Sequence, residues 1–499
     1  MKNVIMLRSA VCVAALLSAS TAIADVTAAE VWADWQDSLM LYGSEGISIG
    51  AEEVDGDTLT IRDLNLTMED DSSSVTANMG PLVFTENGDG TVSITMPDSY
   101  IIAVNVEDDF IVDLEVAQEN MVVLVSGDPD AMNYDISADS STIRLAEFKG
   151  DAADIEGDIF LKANAVSGTY QSNSGAADTL IYSLLAESID ILFDVQEPGG
   201  DSYVLVSGKV DRLNIDGKIN APEGLDTDNP ETWFADGFGF DSSFEYLGAS
   251  FLADFNDHGD AGTVTVQMGY SGFGASMDAA ELSYGFAFEG VDVNAQMSDL
   301  PFPVNVSWNV AEMGFHAPIA STEDPVEFGF DMALTDVTVS DDIWSMVDPS
   351  GAIPRDPISI ELDISGLAKL FFDVLDPEQA EAMAYADVPG ELNTLQLIGL
   401  RLAGAGAEIV GDGDFTFDNT DLETFDGLPR PQGELNIGIT GANALIDTAV
   451  NMGLLPAEQA TMGRMFMGMF TVPAGDDALT SKIEINEQGH IMANGQRIQ

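Results

Sequence analysis

The feature that most constrains this chain is an alternation of apolar and polar residues with a period of two. In TVSITMPDSYIIAVNVEDDFIVDLEVAQENMVVLVSGD, alternating runs recur at a spacing of roughly ten residues. Turn residues such as Asn87-Gly88-Asp89-Gly90 precede or separate them. Because successive side chains of a strand point to opposite sides of a sheet, this period indicates strands with one apolar side. For this segment we predict an antiparallel meander.

The same alternation continues through most of the chain. It recurs in LTIRDLNLTM, STIRLAEFKGDAADIEGDIFLKANAV, IDILFDVQ, SYVLVSGKVDRLNIDGKI, TVTVQMGYSGFGASMDAAELSYGFAFEGVDVNAQM and PVNVSWNVAEMGF. Hydrophobic residues make up 45% of the chain, which is enough to support a packed fold despite many charges. The sequence therefore predicts a mainly β (α+β) protein of extended antiparallel meandering sheets.

An N-terminal segment, DVTAAEVWADWQDSLMLYG, departs from this period. Val31, Trp35 and Leu39 follow one another at intervals of four residues, which places them on one side of a helix. Thr27 and Glu30 have the spacing of a capping box at the helix start. We expect an amphipathic helix that docks its aromatic side on the main body.

Two helical insertions are predicted in the C-terminal half. They are GLAKLFFDVLDPEQAEAMAYAD and GANALIDTAVNMGLLPAEQATMGRMFMGMF. Each follows a predicted strand that ends in a similar dipeptide, Ser365-Gly366 and Thr440-Gly441. This similarity suggests either a duplicated building block or a coincidence.

The second insertion is rich in methionine. Its apolar cluster contains Met452, Met462, Met465, Met467 and Met469, together with Phe466 and Phe470. We expect this cluster to be the core-facing side of a helical hairpin. The alternative is an adaptable apolar binding surface.

The first 24 residues predict export. Lys2 and Arg8 precede the apolar run Val11 to Leu17, and Ala22-Ile23-Ala24 has the pattern of a cleavage site. We predict a signal peptide cleaved after Ala24 and a periplasmic protein, with an uncleaved N-terminal anchor as the alternative. Cys12, the single cysteine, would leave with this segment, so the mature chain could form no disulfide.

The charge of the chain limits its partners. It has 86 acidic and 16 basic residues, a formal net charge of −70 at pH 7. Nucleic acids and anionic membrane surfaces are therefore disfavoured, because binding them requires basic side chains. No later segment has the length and apolar content of a membrane-spanning helix, so we do not expect an integral membrane protein. A saline habitat or cation binding would account for the acidity.

Motifs for catalysis are weak. Ser48 is the centre of GISIG, which has the form of a nucleophile elbow, but AEEVDGDTLTI follows it as a strand instead of a helix. His258, His316 and His490 are far apart and lack the spacing of a metal site. We nominate no catalytic, cofactor-binding or metal-binding residue.

The acidic segment GDGDFTFDNTDLETFDG has some of the ligand spacing of a calcium-binding loop. Counted from Asp412, it has Asp414 at position 3 and Glu423 at position 12, but Thr416 at position 5 and Phe417 at position 6, where glycine is required. Its two phenylalanines share a side, which indicates a half-buried strand entered through a Gly-Asp-Gly-Asp turn. A calcium ion bound at the turn is the alternative.

Composition suggests five segments along the chain. They are a signal peptide at 1–24, an N-terminal helix at 25–45, β-rich units at 46–225 and 226–390, and a unit of strands and a helical hairpin at 391–499.

Three segments of the chain resemble a known family. They are ADVTAAEVWADWQDS, IPRDPISIELDISGLAKLFFDVLDP, and GDGDFTFDNTDLETFDGLPRPQGELNIGITGANALIDTAVNMGLLPAEQ through LTSKIEINEQGHIMANGQRI. They are similar to the alphaproteobacterial family called domain of unknown function 2125. The resemblance implies an exported, β-rich protein of a Gram-negative bacterium, and it carries no catalytic residues.

These observations favour a non-catalytic periplasmic protein that binds an apolar or lipid ligand, or an envelope protein, in a sheet-lined groove. One alternative is a calcium-dependent secreted surface protein, and a weaker one is a serine hydrolase that uses Ser48. The oligomeric state is left open.

Overall fold

The structure, a computed structural model, describes residues 25–40, 46–69, 73–106, 110–150, 156–173, 177–222, 225, 232–386 and 388–498. Antiparallel strands dominate these residues, and five helices accompany them. The predicted mainly β (α+β) fold is confirmed. The predicted signal peptide lies outside the described residues. Within them, no helix is long and apolar enough to cross a membrane.

The chain forms two compact units. Unit 1 comprises the described residues within Met1–Gly224 and Asp241–Thr263, and unit 2 comprises those within Leu225–Phe240 and Val264–Gln499. The segment limit drawn from composition between residues 390 and 391 falls at the start of a strand in unit 2.

Unit 1 is built mostly from strands that lengthen along the chain. Its elements are α1 (Ala28–Met40), β1 (Ile47–Ser48), β2 (Ala51–Asp55), β3 (Thr58–Arg62), β4 (Leu64–Glu69), β5 (Ser73–Met79), β6 (Leu82–Glu86), β7 (Val92–Thr95), β8 (Ser99–Val106), β9 (Phe110–Glu119), β10 (Val122–Asp128), β11 (Ala131–Gly150), β12 (Glu156–Asn173), β13 (Ala177–Gln196), β14 (Tyr203–Pro222) and β16 (Gly248–Asp257). The strands β15 (Gly239–Tyr246) and β17 (Asp260–Met268) contain points at which the chain passes between the units.

The long strand β11 organises the sheet of unit 1. On one side it pairs with β12, and pairing continues to β13, β14 and β16. Its other edge is shared by β10 and β9, each of which pairs with half of its length. From β10 one arm continues through β7, β6, β3 and β2, and from β9 a second arm continues through β8, β5, β4 and β1.

The simple meander predicted for the segment from β7 to β10 is therefore wrong. β7 pairs with β10, and β8 pairs with β9. The physical reason is the length of β11, because a strand of 20 residues offers hydrogen bonds to two short strands placed end to end.

Helix α1 is confirmed, and its buried side packs into the core of unit 1. Thr27 N donates to Glu30 Oε2 at 2.9 Å and Glu30 N donates to Thr27 Oγ1 at 3.3 Å, which is the predicted capping box. Val31 and Trp32 are fully buried, and the rings of Trp32 and Phe84 lie 5.8 Å apart. The cluster around them includes residues of β3, β4, β6, β7, β10 and β11.

Unit 2 consists of a meander of strands with four helices between them. Its elements are β18 (Ser271–Met277), β19 (Glu281–Met297), β20 (Val304–Pro318), β21 (Val326–Val339), α2 (Asp341–Val347), β22 (Ile358–Leu370), α3 (Pro377–Ala384), β23 (Gly390–Gly404), β24 (Ala407–Asp418), β25 (Arg430–Thr440), α4 (Ala442–Asn451), α5 (Ala457–Phe470), β26 (Val472–Gly475), β27 (Ala478–Ile485), β28 (Ile491–Ala493) and β29 (Gln496–Arg497).

Each strand from β18 to β25 pairs antiparallel with the next, and β25 then pairs with β27. The first predicted helical insertion is only partly correct, because its opening residues GLAKL belong to β22 and the helix is limited to α3. In β22, Ala368 lies opposite Val326 on one side and Leu392 on the other. Hydrogen bonds to both neighbouring strands outweigh the local helix preference of this segment.

The second insertion is confirmed as the hairpin of α4 and α5. Gly441, which precedes α4, has a φ of +73°, and a Cβ there would lie 2.0 Å from the carbonyl oxygen of Gly406. Gly366, by contrast, is buried within β22. The two Ser/Thr-Gly segments thus have different structures, which contradicts the interpretation that one strand-to-helix block is used twice.

Candidate functional site

The register of unit 2 aligns large apolar side chains in rows across its strands. Residues directly opposite one another in antiparallel strands lie on the same side of a sheet. The central row contains Phe273, Phe286, Met313, Met332, Leu362 and Leu400. One neighbouring row contains Tyr284, Phe315, Phe330, Ile364 and Leu397, and the other contains Phe288, Leu334, Ile360, Leu402 and Ile409. We call these three rows the apolar face of unit 2.

This face is not buried as a packed core would be. Phe273, Phe288, Ile360 and Leu402 are 39%, 37%, 38% and 38% exposed, and the other residues of the rows are half-buried. Among the described residues of unit 2, the fully buried apolar residues are Val291, Ile319, Ala460 and Ala493, none of which belongs to the rows. The side chains shield one another laterally, as in Tyr284 and Phe315, whose rings lie 5.6 Å apart. An apolar surface of this extent is typical of a binding site.

The opposite side of the same strands is acidic. Asp331 lies directly opposite Asp363. Burial raises the pKa of the Asp331, Asp363 and Glu312 carboxyls, and the charge of Asp363 raises the pKa of Asp331 further. Glu361 on this side is paired with Arg401, whose Nη1 lies 2.9 Å from Glu361 Oε1. The sheet of unit 2 is therefore apolar on one side and charged on the other.

Unit 1 has an apolar face of its own. Its large exposed side chains are Ile143, Leu161, Leu184, Phe193 and Val204. The register connects them through rows such as Ile143, Leu161 and Ile191, on the side of the sheet that carries the core residues Met132 and Tyr134. Helix α1 covers only the end of this face near Tyr134, whose hydroxyl donates to Asp34 Oδ2 at 2.6 Å.

An aligned irregularity crosses this face. The pairing of β11, β12, β13 and β14 skips one residue in each strand at the same level, Asp139, Ala165, Glu187 and Arg212. Ala165 and Arg212 have φ angles of +48° and +54°. An added residue moves the alternation of a strand by one position. In β13 the apolar residues of this face before Glu187 therefore have even numbers and those after it have odd numbers, yet both sets lie on the same side of the sheet.

A groove of about 560 Å³ lies on the other side of the unit 1 sheet. Val122, Leu124 and Leu185 line it together with the polar residues Asp135, Ser137, Ser167, Thr169, Ser183 and Asn214. Its volume falls in the range of small-molecule sites, roughly 300–1,000 Å³. Since polar groups interrupt its apolar lining, this groove offers less continuous apolar surface than the two faces.

The acidic segment near residue 411 is a strand, as predicted, but it is not entered through a turn. The residues Gly-Asp-Gly-Asp lie inside β24, where Asp412 and Asp414 point away from the apolar face. Arg430 Nη2 lies 2.7 Å from Asp418 Oδ2 and its Nε lies 2.9 Å from Asp421 Oδ2. The segment is therefore neutralised in part by an internal cation.

Hydrogen bonds also stabilise these carboxylates. Hydrogen bonds from Thr420 lower the pKa of Asp418, and hydrogen bonds from Thr424 lower the pKa of Asp421. The part of the chain that the structure describes contains no group of three or more His, Cys, Asp or Glu side chains placed to hold a metal ion.

The other predicted candidates lie in separate settings. Ser48 is in β1 opposite Asn65, and the strand β2 follows it. His258 Nδ1 lies 2.6 Å from Asp257 Oδ1 in an exposed position of unit 1, and this ion pair raises the pKa of His258. His316 belongs to β20 of unit 2.

The core-facing interpretation of the methionine cluster is wrong for most of α5. Met462, Met465 and Met469 are 57%, 62% and 63% exposed, and Phe466 is 63% exposed. The polar side chain of Arg464 faces α4 instead, where its Nη2 donates to Asp447 Oδ1 at 2.6 Å. Arg464 lies on the inner side of α5 because Asn443 and Asp447 of α4 accept its hydrogen bonds.

The second half of the chain matches a known protein family. Residues 249–489 match the family model described as an uncharacterized protein conserved in bacteria (DUF2125). Over these residues the chain is similar to the DUF2125 family. The match includes all of the apolar face of unit 2 and all of α5, whereas the predicted resemblance of the N-terminal helix lies outside it. No curated protein matches the chain.

The DUF2125 region thus contains the face that inspection of the sequence did not identify. The alternating runs signalled that each strand has an apolar side, but the residues that form a row come from different strands. Only their register brings Met313, Met332 and Leu362 together.

Proposed function

We propose that the protein is a non-catalytic, exported protein that binds the acyl chain of a lipid along the apolar face of unit 2. The observation that carries this proposal is the continuous set of large apolar side chains from β18 to β24 that no described segment of unit 2 buries. An extended chain lying across these rows would remove apolar surface from water, which is favourable by roughly 25 cal/mol per Å².

Charge supports an apolar ligand. The three rows contain no charged residue, whereas the opposite side of the same strands carries Glu312, Asp331 and Asp363. An anionic ligand would be repelled by these carboxylates, and a strongly polar ligand would lose hydration on the apolar rows. The proposal of export to the periplasm rests on the signal-like pattern that ends at Ala24.

The test is native mass spectrometry of the protein purified from the periplasm without detergent, followed by organic extraction of any released ligand. A stoichiometric adduct of lipid mass is expected. A clean apoprotein mass would contradict constitutive lipid binding and favour an envelope protein as the partner.

Two matched variants locate the site. Met313→Gln combined with Met332→Gln keeps side-chain size but adds polar groups to the central row, so binding of an uncharged fluorescent monoacylglycerol should weaken about tenfold or more. Glu312→Gln changes a residue of the same strand on the opposite side and should leave binding unchanged. Equal weakening by both variants would place the ligand elsewhere.

A further inference from the structure

Helix α5 exposes a stripe of large apolar side chains. Met462, Met465, Phe466 and Met469 are separated by three or four residues, so they lie on one side of the helix. Each is more than half exposed, with values of 57%, 62%, 63% and 63%. We call these four residues the α5 stripe.

The other side of α5 faces the protein, and it carries Ala460 and Arg464 together with the half-buried Met467 and Phe470. Arg464 Nη2 donates to Asn443 O at 3.1 Å and to Asp447 Oδ1 at 2.6 Å, and its Nε donates to Asn443 Oδ1 at 3.2 Å. Ala460 is 4% exposed. A surface helix normally directs its apolar side towards the core. In α5 the four residues of the stripe are exposed instead, on the side of the helix that points away from α4.

The charge of the hairpin restricts the kind of partner. Residues 442–470 contain two acidic residues, Asp447 and Glu458, and one basic residue, Arg464, in a chain with a net charge of −70. Arg464 and Asp447 form an ion pair. A basic protein would be attracted to the acidic parts of the chain outside the hairpin. A second copy of this chain, or an anionic membrane, would be repelled by the net negative charge of the whole chain. A zwitterionic lipid surface fits a nearly neutral apolar stripe.

The position of α5 links this surface to the apolar face of unit 2. Ser481 Oγ donates to the carbonyl oxygen of Phe470, the last residue of α5, at 2.6 Å. Ser481 lies opposite Ile437 in β25, and Ile437 lies opposite Gly411, which continues the central row from Leu400. The α5 stripe therefore belongs to a helix that ends beside the apolar face.

Other exposed apolar residues lie at the same end of the strands. Helix α2 connects the end of β21 to the start of β22, and its residues Met346 and Val347 are 71% and 58% exposed. The hairpin of α4 and α5 leaves the sheet at the end of β25, which in an antiparallel meander is the same end.

We propose that α5 lies in the surface of a zwitterionic lipid bilayer, with the α5 stripe inserted between the lipids. A helix of 14 residues is about 21 Å long, shorter than the hydrocarbon core of about 30 Å, so it lies along the surface and does not span it. A membrane held there would supply lipid to the apolar face, and this last step rests on the proposed function.

The experiment is co-flotation of the purified full chain with vesicles of phosphatidylcholine, and with vesicles of phosphatidylcholine mixed with phosphatidylglycerol. The wild-type protein should float with the first and less with the second at low salt. Met465→Ser combined with Phe466→Ser should reduce flotation about tenfold or more. Tyr385→Ser, at an 83% exposed residue that follows α3, is the matched control and should float normally.

A tryptophan variant provides an independent measurement. In Phe466→Trp, addition of phosphatidylcholine vesicles should shift the tryptophan emission to shorter wavelength, and brominated lipids should quench it. Absence of flotation by the wild-type protein, or equal flotation of the double variant, would overturn the proposal. A wild-type protein that is dimeric and does not float, together with a double variant that is monomeric, would show that the stripe binds a second copy of the chain.

The two proposals fail separately. A wild-type protein that carries a lipid by mass spectrometry but does not float overturns the membrane surface alone. One that floats but carries no lipid overturns the ligand proposal alone. The double variant should keep its lipid adduct, because the α5 stripe lies outside the three rows.

Discussion

Individual carboxylates differ in pKa according to the groups around them. Asp331 has a raised pKa because it is half-buried and faces Asp363 across β21 and β22. Asp348 is 1% exposed, yet its pKa is lowered to about 2 because Ile353 N donates to Oδ2 at 2.7 Å and Ser350 Oγ donates to Oδ1 at 2.8 Å. Hydrogen bonds decide the second case, and burial decides the first.

Asp331→Asn should stabilise the protein at pH 7. A raised folded pKa means that the contribution of Asp331 to stability is present at low pH and is lost as the pH rises through that pKa. Removing the charge should raise the midpoint of thermal unfolding by about 2–4 °C, the change expected for 1 kcal/mol in a domain of this size. Below about pH 4 the difference should disappear. Thermal unfolding followed by circular dichroism from about pH 3 to about pH 8 measures this.

Asp348→Asn is the matched contrast. A lowered folded pKa means that the contribution of Asp348 is present above its unfolded pKa and is lost as the pH falls towards about 2. The substitution should therefore lower the unfolding midpoint at pH 7, and the loss should shrink with acidification. Shifts of the same sign in both variants would contradict this assignment.

Among the elements, α1 is the one whose position sequence reasoning foresaw most fully. Its capping residues are neighbours in the chain, and its apolar side follows helical spacing, so both could be predicted. Helix α5 is also rich in apolar residues, but its orientation depends on Asn443 and Asp447 of α4, which accept hydrogen bonds from Arg464. Local spacing contains no information about which side a neighbouring helix will contact.

Trp32→Ala should strongly destabilise unit 1. Trp32 is 3% exposed, packs against Phe84, and donates from Nε1 to Glu52 Oε1 at 3.1 Å. Truncation of a buried Trp costs about 3–5 kcal/mol. Urea unfolding monitored by circular dichroism should show a lower midpoint for Trp32→Ala. The control Val54→Ala, at a 76% exposed position, should leave the midpoint almost unchanged. A small effect of Trp32→Ala would mean that α1 contributes little to the core.

The extent of β22 illustrates how elements compete. GLAKL is compatible with a helix by composition, but it lies between β21 and β23 and hydrogen-bonds to both. The alternating sides of β11 to β14 depend in the same way on a bulge at Ala165 and Arg212, which sequence patterns did not reveal because it needs four aligned strands.

Repulsion between acidic side chains affects the stability of the whole molecule. The net charge of −70 destabilises the folded chain unless salt screens it. Sodium chloride should therefore raise the midpoint of thermal unfolding, as the Debye length falls from about 10 Å at 0.1 M to about 3 Å at 1 M.

Divalent cations distinguish screening from specific binding. At matched ionic strength, magnesium and calcium chloride should raise the midpoint by similar amounts, since Asp418 and Asp421 already bind Arg430. Differential scanning fluorimetry can compare the two salts. A rise with calcium that magnesium does not reproduce would support the calcium-dependent surface protein instead.

The sequence by itself determined the strand content, the antiparallel class, the helix α1 with its cap, and the acidity, because each depends on residues that are close in the chain or on composition alone. Tertiary structure decided which strands pair around β11, which residues form the rows of the apolar face, and which side of α5 points outward. These depend on hydrogen bonds and contacts between residues distant in sequence, and a change in register by one residue would move every side chain of a strand to the other side.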